Sequence, residues 1–234
     1  MGLQLRAHCR GIQEQQQSAR EAVALVSAQS QSSKQPEVLA EVSPSPEDVW
    51  RANLYRLLSH LLSGAPTAGD LAVVANLNAD EASPLGRAAV ALAEVARQTT
   101  AEAEAEAFQT LFIGLGRGLF LPYGSYYLTG FLHEKPLARL RQDMAALGIE
   151  AASDVSEPED HVASVLEMMA GLIDGTFGAQ STDAEPAFYK AHVGSWAAHF
   201  FRDLAGSEPS RFYAALGTLG CEFMEIEERA LRLA

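Results

Sequence analysis

The sequence predicts an all-α protein: a single globular helical-bundle domain preceded by a low-complexity extension. Three observations carry that expectation. Apolar residues recur at spacings of three and four along most of the chain, which places them on one face of a helix. The segments so marked open on Ser or Thr caps and close on glycine. No segment shows the period-two alternation or the β-branched run of a strand.

Residues 1–43 fall outside this pattern. They are rich in Gln, Ser and Ala, with Gln15-Gln16-Gln17 and Gln29-Ser30-Gln31-Ser32-Ser33 as the most biased runs. Such a composition buries too little apolar area to offset the entropy of ordering. The expectation is a mobile extension with one short helix over residues 14–28, and a folded domain over residues 44–234.

Within the domain, Ser45-Pro46-Glu47-Asp48 opens a helix whose Trp50, Leu54, Leu57, Leu58, Leu61 and Leu62 form one stripe ending at Gly64. Ser83-Pro84 opens a short one carrying Leu85, Leu92 and Val95. Thr99 with Glu102 begins a third, in which Phe108, Leu111 and Phe112 face one way and Gly114, Gly116 and Gly118 end the run. Leu137, Leu140, Met144 and Leu147 mark the next, with Gly148-Ile149 as a Schellman stop. A capping box of Ser156 and Glu159 predicts a helix carrying Val162, Val165, Leu166, Met169, Leu172 and Ile173. Phe188, Tyr189, His192, Val193, Trp196, His199 and Phe200 form a further stripe, and Phe212, Leu216, Leu219, Phe223 and Ile226 the last. Residues 114–131 stand apart as a glycine-interrupted loop that still carries Leu119, Phe120, Leu121, Tyr123, Tyr126, Tyr127 and Phe131. A loop that apolar is packed down or binds something.

Composition bounds the function. The chain has 234 residues, 48% of them hydrophobic, and a formal charge of −13 from 17 Lys and Arg against 30 Asp and Glu. Nucleic acid is an unsuitable partner for that balance, since phosphate binding needs clustered cations. A basic partner such as an Arg-bearing peptide suits it. Cys9 and Cys221 are too few and too far apart for a disulfide framework or a cysteine metal site. No stretch resembles a secretory signal or a membrane span, so the expectation is a soluble, cytoplasmic protein without stable membrane insertion.

The most informative stretch is Glu157-Pro158-Glu159-Asp160-His161, running directly into an apolar helix. Acidic residues at a helix start complement its dipole, so capping alone accounts for the carboxylates. It does not account for His161, which when charged belongs at a helix C-terminus. Hydrolase chemistry has little to work with. Gly124-Ser125 lacks the strand context of a nucleophile elbow, and the glycine loop is neither a Walker loop nor a Rossmann turn. A metal-dependent hydrolase centred on Asp160 and His161 stays as the alternative of a different class. His192 and His199 lie two helical turns apart and read as core residues with hydrogen-bond partners. A groove lined by Phe108, Leu111, Phe112 and the Tyr-rich loop, with acidic residues beside it, suits an apolar or helical peptide.

The run Glu157-Pro158-Glu159-Asp160-His161 with Leu166-Glu167-Met168-Met169 resembles the E-x-x-D-H helix motif of the TorD/DmsD/NarJ family of redox-enzyme maturation chaperones. Further blocks agree in order. Phe108-Gln109-Thr110-Leu111-Phe112 followed by Pro122-Tyr123-Gly124-Ser125-Tyr126 is similar to the family's F/Y-x-x-L-F and P-x-x-S-x-Y segments. His192 to Trp196 with Phe200, then Phe212-Tyr213, is similar to its H-x-x-x-W and F-Y helices, and Asn53 to Leu58 resembles its first helix. The chain departs from the family at Val165, where a carboxylate is frequent, and at Leu115-Gly116-Arg117-Gly118, which replaces a usual proline.

The resemblance implies a TorD-like helical domain that is not an enzyme and holds no cofactor or metal of its own. Its partner would be the twin-arginine signal peptide or N-terminal segment of the catalytic subunit of a molybdopterin-containing oxidoreductase, held during cofactor insertion and before export. A NarJ-like chaperone of a non-exported molybdoenzyme is the variant. By the same resemblance Asp160 and His161 make the polar contacts to the peptide. Glu157 and Pro158 shape the loop, and Phe108, Leu111, Phe112, Pro122, Tyr123, Ser125 and Tyr126 line the groove. A monomer or a domain-swapped dimer fits, with residues 148–156 as a hinge.

Overall fold

The computed structural model describes residues 44–114, 118–151, 157–178 and 181–233, and among these all regular elements are helical. The expectations for the extension over residues 1–43 lie outside that range. Helix α1 (Pro46–Ser63) starts as its sequence predicts, on a full capping box between Ser45 and Asp48. Its Tyr55, Leu58, Leu61 and Leu62 are buried, but Trp50, expected on the same stripe, stays half-exposed and meets Phe223 edge-on. A helix absent from the sequence expectation follows, α2 (Ala68–Ala75), capped by a second box of Thr67 and Asp70. Helix α3 (Pro84–Gln98) is longer than the short element predicted from Ser83-Pro84.

Helix α4 (Ala101–Phe108) is capped by Thr100 rather than Thr99, because Thr99 spends its hydroxyl on the buried Glu104. It runs on through a π-helical turn, Gln109–Ile113, and stops at Gly114. Residues 118–123 turn back along that π turn, with the Phe120 N–H donating to the Leu111 carbonyl at 2.8 Å. The loop predicted over residues 114–131 then holds a short helix, α5 (Gly124–Thr129). Helix α6 (Lys135–Leu147) closes on left-handed Gly148, with Ile149 N–H bonded to the Met144 carbonyl, which is the expected Schellman stop.

Helix α7 (Val162–Ile173) corrects the reading of its own start. The residues 157–160 lie in the turn before the helix instead of in its first turn, and His161 is the N-cap. The stripe of residues 188–200 is likewise not one helix. It divides into α8 (Ala184–Phe188), a π turn over Tyr189–Val193, and α9 (Ala197–Ala205), with Trp196 (φ −150°) at the break. The chain ends in α10 (Arg211–Leu233).

Helix α7 is buried on nearly every side, the pattern of a central helix. It packs along α1, where Ser59 Oγ also donates to the Ala163 carbonyl at 2.7 Å. Helix α10 packs against both α9 and α3. Its approach to α9 requires glycine: a Cβ on Gly217 would lie 2.3 Å from the Ala205 nitrogen, and one on Gly220 2.1 Å from the Phe201 ring. No helix among the described residues is long and apolar enough to cross a membrane.

Candidate functional site

Two short extended segments form the site. Residues 122–124, leading into α5, and 160–162, leading into α7, pair as an isolated antiparallel bridge between Tyr123 and His161. The Gly124 N–H donates to the Asp160 carbonyl at 2.8 Å, and the Val162 N–H to the Pro122 carbonyl at 2.7 Å. Two helix N-termini are thereby held side by side, each leaving amide N–H groups that need acceptors.

Asp160 and His161 supply them. The Asp160 carboxylate, 3% exposed, accepts the Ser125 N–H through Oδ2 at 2.7 Å. Together with its own carbonyl on Gly124, Asp160 caps helix α5 from 35 residues away. His161 caps its own helix, its Nδ1 accepting the Ala163 N–H at 3.2 Å. An acceptor nitrogen requires a neutral ring, and burial supplies one by pulling the histidine down to about 4, although Glu157 and Asp160 pull the other way. That answers the misfit in the sequence: His161 sits at a helix N-terminus because it is uncharged.

The surrounding groups fix this pair. The Tyr123 ring packs edge-on to His161 with centroids 5.2 Å apart, and its hydroxyl donates to Glu157. Burial and the Glu157 carboxylate both hold that phenol above its usual range. The Pro158 carbonyl accepts the His161 N–H at 3.0 Å, and Arg141 of α6 grips Glu159 at 2.7 and 2.9 Å. The Arg141 hydrogen bond keeps the Glu159 carboxyl below its ordinary range. Gly124 sits close against Trp196: a Cβ there would stand 3.0 Å from the indole nitrogen, so a larger residue needs the ring to give way.

Two oxygens of the site are left over. Asp160 Oδ1 is buried and has no hydrogen-bond partner, and neither has the buried Ser125 Oγ. Asp160 lines a pocket of about 370 Å³ together with Leu128, Leu140, Val165, Trp196, Lys135 and Arg139. His192 also borders it. Its Nε2 bonds Asp143 at 2.7 Å, and burial lowers its proton affinity against the pull of that carboxylate. His192 is therefore the hydrogen-bonded core histidine expected from sequence, whereas His199 is exposed. An unpartnered, buried carboxylate oxygen is costly unless a donor reaches it.

Of the residues predicted for the site, Pro122, Tyr123, Ser125, Glu157, Pro158, Asp160 and His161 come together here. Tyr126 lies on α5, its ring 6.1 Å from that of Tyr127. Phe108, Leu111 and Phe112 belong to a different cluster. Phe112 stacks with Phe108 at 5.0 Å, with Tyr213 of α10 at 5.5 Å and with Phe120 at 6.4 Å. Leu111 has no exposed surface, so it serves the core and offers no groove wall in this conformation. Sequence reasoning missed Trp196, Leu128 and Leu140 as pocket walls, because periodicity does not tell a core face from a cavity lining. It also missed the role of Gly124, whose constraint comes from a ring 72 positions away.

A hydrolytic centre gains nothing from this geometry. His161 Nδ1 and Asp160 Oδ2 are already committed to helix caps. Among the described residues no group of three or more His, Cys, Asp or Glu side chains is placed to hold a metal ion.

Comparison with known proteins points the same way. The family described as nitrate reductase delta subunit matches residues 78–202, more than half of the chain. The chaperone protein TorD of Aliivibrio fischeri is 29% identical over 202 residues, covering 77% of this chain and 94% of that one. TorD of Shewanella loihica is 28% identical over 214 residues, covering 81% and 97%. A probable Tat proofreading chaperone DmsD of Haemophilus influenzae is 32% identical over 116 residues, covering 49% and 55%.

Proposed function

The chain belongs to the nitrate reductase delta subunit family, the TorD/DmsD/NarJ type of redox-enzyme maturation chaperone, and on that premise we propose that it binds the N-terminal signal segment of a molybdoenzyme catalytic subunit. It acts in the cytoplasm, holding the twin-arginine segment while the cofactor is inserted. The observation that carries this reading is a buried carboxylate, Asp160, with one unpartnered oxygen, at the border of a pocket whose other walls are mostly apolar. A guanidinium donates in a fork that suits a carboxylate, and the apolar walls take its methylene stem. Asp160, His161, Glu157 and Tyr123 shape the polar end of the site, with Pro122, Ser125 and Tyr126 around it. Phe108, Leu111 and Phe112 act at one remove, by packing beneath the loop.

Calorimetric titration of the full chain with signal peptides of the molybdoenzyme subunits encoded beside its gene tests the reading. Binding is expected, and a Lys-Lys version of the same peptide binds about tenfold more weakly, because an ammonium cannot reproduce the planar fork. Absence of binding to every such peptide removes it. The family description favours a second reading, a NarJ-like role at a nitrate reductase that is not exported. Its mark is tight binding to a client N-terminus that has no twin arginines.

A further inference from the structure

The turn that carries Asp160 already holds a guanidinium. Arg141 of α6 donates from Nε and Nη2 to one oxygen of Glu159, Oε2, at 2.9 and 2.7 Å. Glu159 directly precedes Asp160, and Arg141 directly follows Leu140, which borders the pocket. Asp160 Oδ1 is buried, but the Glu159 side chain is 20% exposed and that of Arg141 56%. Of these two adjoining carboxylates, Glu159 is the one that a cation from outside can reach, and α6 occupies it.

The contact is of a kind that exchanges. An ion pair at this exposure contributes little and breaks readily, because solvent screens the charges and competes for the donors. Both Arg141 donors converge on one Glu159 oxygen, so the stronger geometry, a parallel fork onto two oxygens, is unused. The Glu159 hydrogen bond and charge hold the guanidinium above its ordinary range, and the Asp160 charge adds to the pull. Lys135 and Arg139 line the pocket as well, and their charges disfavour the addition of a further cation. Exchange at Glu159 avoids that addition, because one guanidinium leaves the carboxylate as another arrives.

We propose, resting on the peptide-binding reading above, that Arg141 is a resident stand-in for an arginine of the bound segment: it occupies Glu159 in the free protein and yields it to the incoming guanidinium. The ion pair is then an autoinhibitory contact, and Arg141 determines specificity without touching the client. A peptide gains Glu159 only by offering a group that binds it better than Arg141 does. A guanidinium in a two-oxygen fork meets that condition, whereas an ammonium or a neutral side chain does not. The competition lowers the apparent affinity for arginine-bearing peptides in proportion to the fraction of molecules in which Glu159 is occupied. Once displaced, Arg141 turns into solvent, where its charge is screened.

The test uses the full chain and a fluorescent synthetic peptide with two adjacent arginines followed by a run of Leu and Ala. A control peptide carries citrulline, the uncharged isostere, in place of both arginines. Arg141→Gln is expected to bind the diarginine peptide about two- to fivefold more tightly than wild type, the range that an exposed ion pair spans. It should bind the citrulline peptide as wild type does. In a Glu159→Gln background the same substitution should change nothing, since no carboxylate is left to contest. In nuclear magnetic resonance, the Arg141 Nε–H signal of wild type should move on peptide addition to the position it has in Glu159→Gln. If wild type binds the diarginine peptide and Arg141→Gln binds it no more tightly, or the Nε–H signal stays in place, the inference is overturned and the peptide-binding reading survives. A gain that persists without Glu159, or that extends to the citrulline peptide, overturns it too, in favour of an effect of net charge. If neither wild type nor Arg141→Gln binds either peptide, the reading and the inference fall together.

Discussion

Asp160 holds the N-terminus of one helix with one oxygen and keeps the other buried and unpartnered at the border of a pocket, so its capping and its charge separate by substitution. Asp160→Ala removes the acceptor for the Ser125 N–H, and loss of a buried cap costs about 1–2 kcal/mol. Asp160→Asn keeps an acceptor and removes the charge, so it should lose less stability than Ala while losing as much peptide affinity. Urea unfolding of both variants decides this; equal stability loss would assign Asp160 a purely electrostatic role in the fold. His161 gives a pH signature. Its folded proton affinity is depressed to about 4 by burial, below the ordinary 6.5 of the unfolded chain. Between those values the unfolded chain binds the proton and the folded one does not, so stability is lost as pH falls through the window, by up to roughly 3 kcal/mol. His161→Asn, a good N-cap without a titrating group, should flatten this loss. The measurement is the difference between the two unfolding midpoints from pH 7 to pH 4.5, and parallel curves would exclude the neutral-cap account. The Asp-His pair itself stands out in the sequence, but its geometry does not. Which helix each residue caps depends on the pairing of residues 122–124 with 160–162, a contact that no local pattern encodes.

At the scale of elements, the helices with long apolar stripes were legible and the short or locally irregular ones were not. Helix α2 has almost no polar face to give it a period, and its signal was the Thr67 and Asp70 capping box. Helix α5 has six residues and gets its N-terminal acceptors from Asp160, so its stability is tertiary. The stripe through His192 and Trp196 keeps helical spacing across a break, because a π turn and a tight turn rotate the chain without leaving the core. Glycines inside α10 show the same limit in reverse. Propensity alone counts Gly217 as a cost of about 1 kcal/mol against alanine. Packing reverses the sign, since the added Cβ would stand 2.3 Å from the backbone nitrogen of Ala205 and only a shift of α9 could relieve it. Gly217→Ala should therefore destabilise by about 1–3 kcal/mol, the usual range for overpacking. Gly206→Ala, at the end of α9, has its nearest neighbour at 3.5 Å and serves as the control. A Gly217→Ala protein that melts higher than wild type would show that α9 and α10 are less closely coupled than the crossing implies.

At the scale of the molecule, what joins the ends of the domain is a buried ion network that composition does not announce. Arg51 of α1 forks onto Glu227 of α10 at 2.7 and 2.8 Å, reaches Glu185 of α8 at 2.5 Å and touches Asp48 at 3.2 Å. Tyr55 donates to the same Glu227 at 2.9 Å, and Glu227 has no exposed surface. Burial disfavours the charge on Arg51, but Glu227 and Glu185 outweigh it and hold the guanidinium protonated. In the sequence Arg51 and Glu227 lie 176 positions apart and read as separate surface charges. The helical stripes told which faces are apolar but not which helices meet, and this network is one of the contacts that selects the partners. Buried pairs add little net stability relative to apolar replacements, yet breaking one side is severe. Arg51→Ala leaves Glu227 buried without a counter-charge and should cost about 3–5 kcal/mol. Arg51→Lys should also destabilise, because an ammonium cannot serve Glu227 and Glu185 from one planar fork. Adding Glu227→Gln to Arg51→Ala removes the stranded charge while Tyr55 keeps its acceptor, so the double variant should be more stable than Arg51→Ala alone. A double-mutant cycle in urea reads that coupling, and strictly additive losses would mean that α1 and α10 are joined by apolar packing with the charges as bystanders.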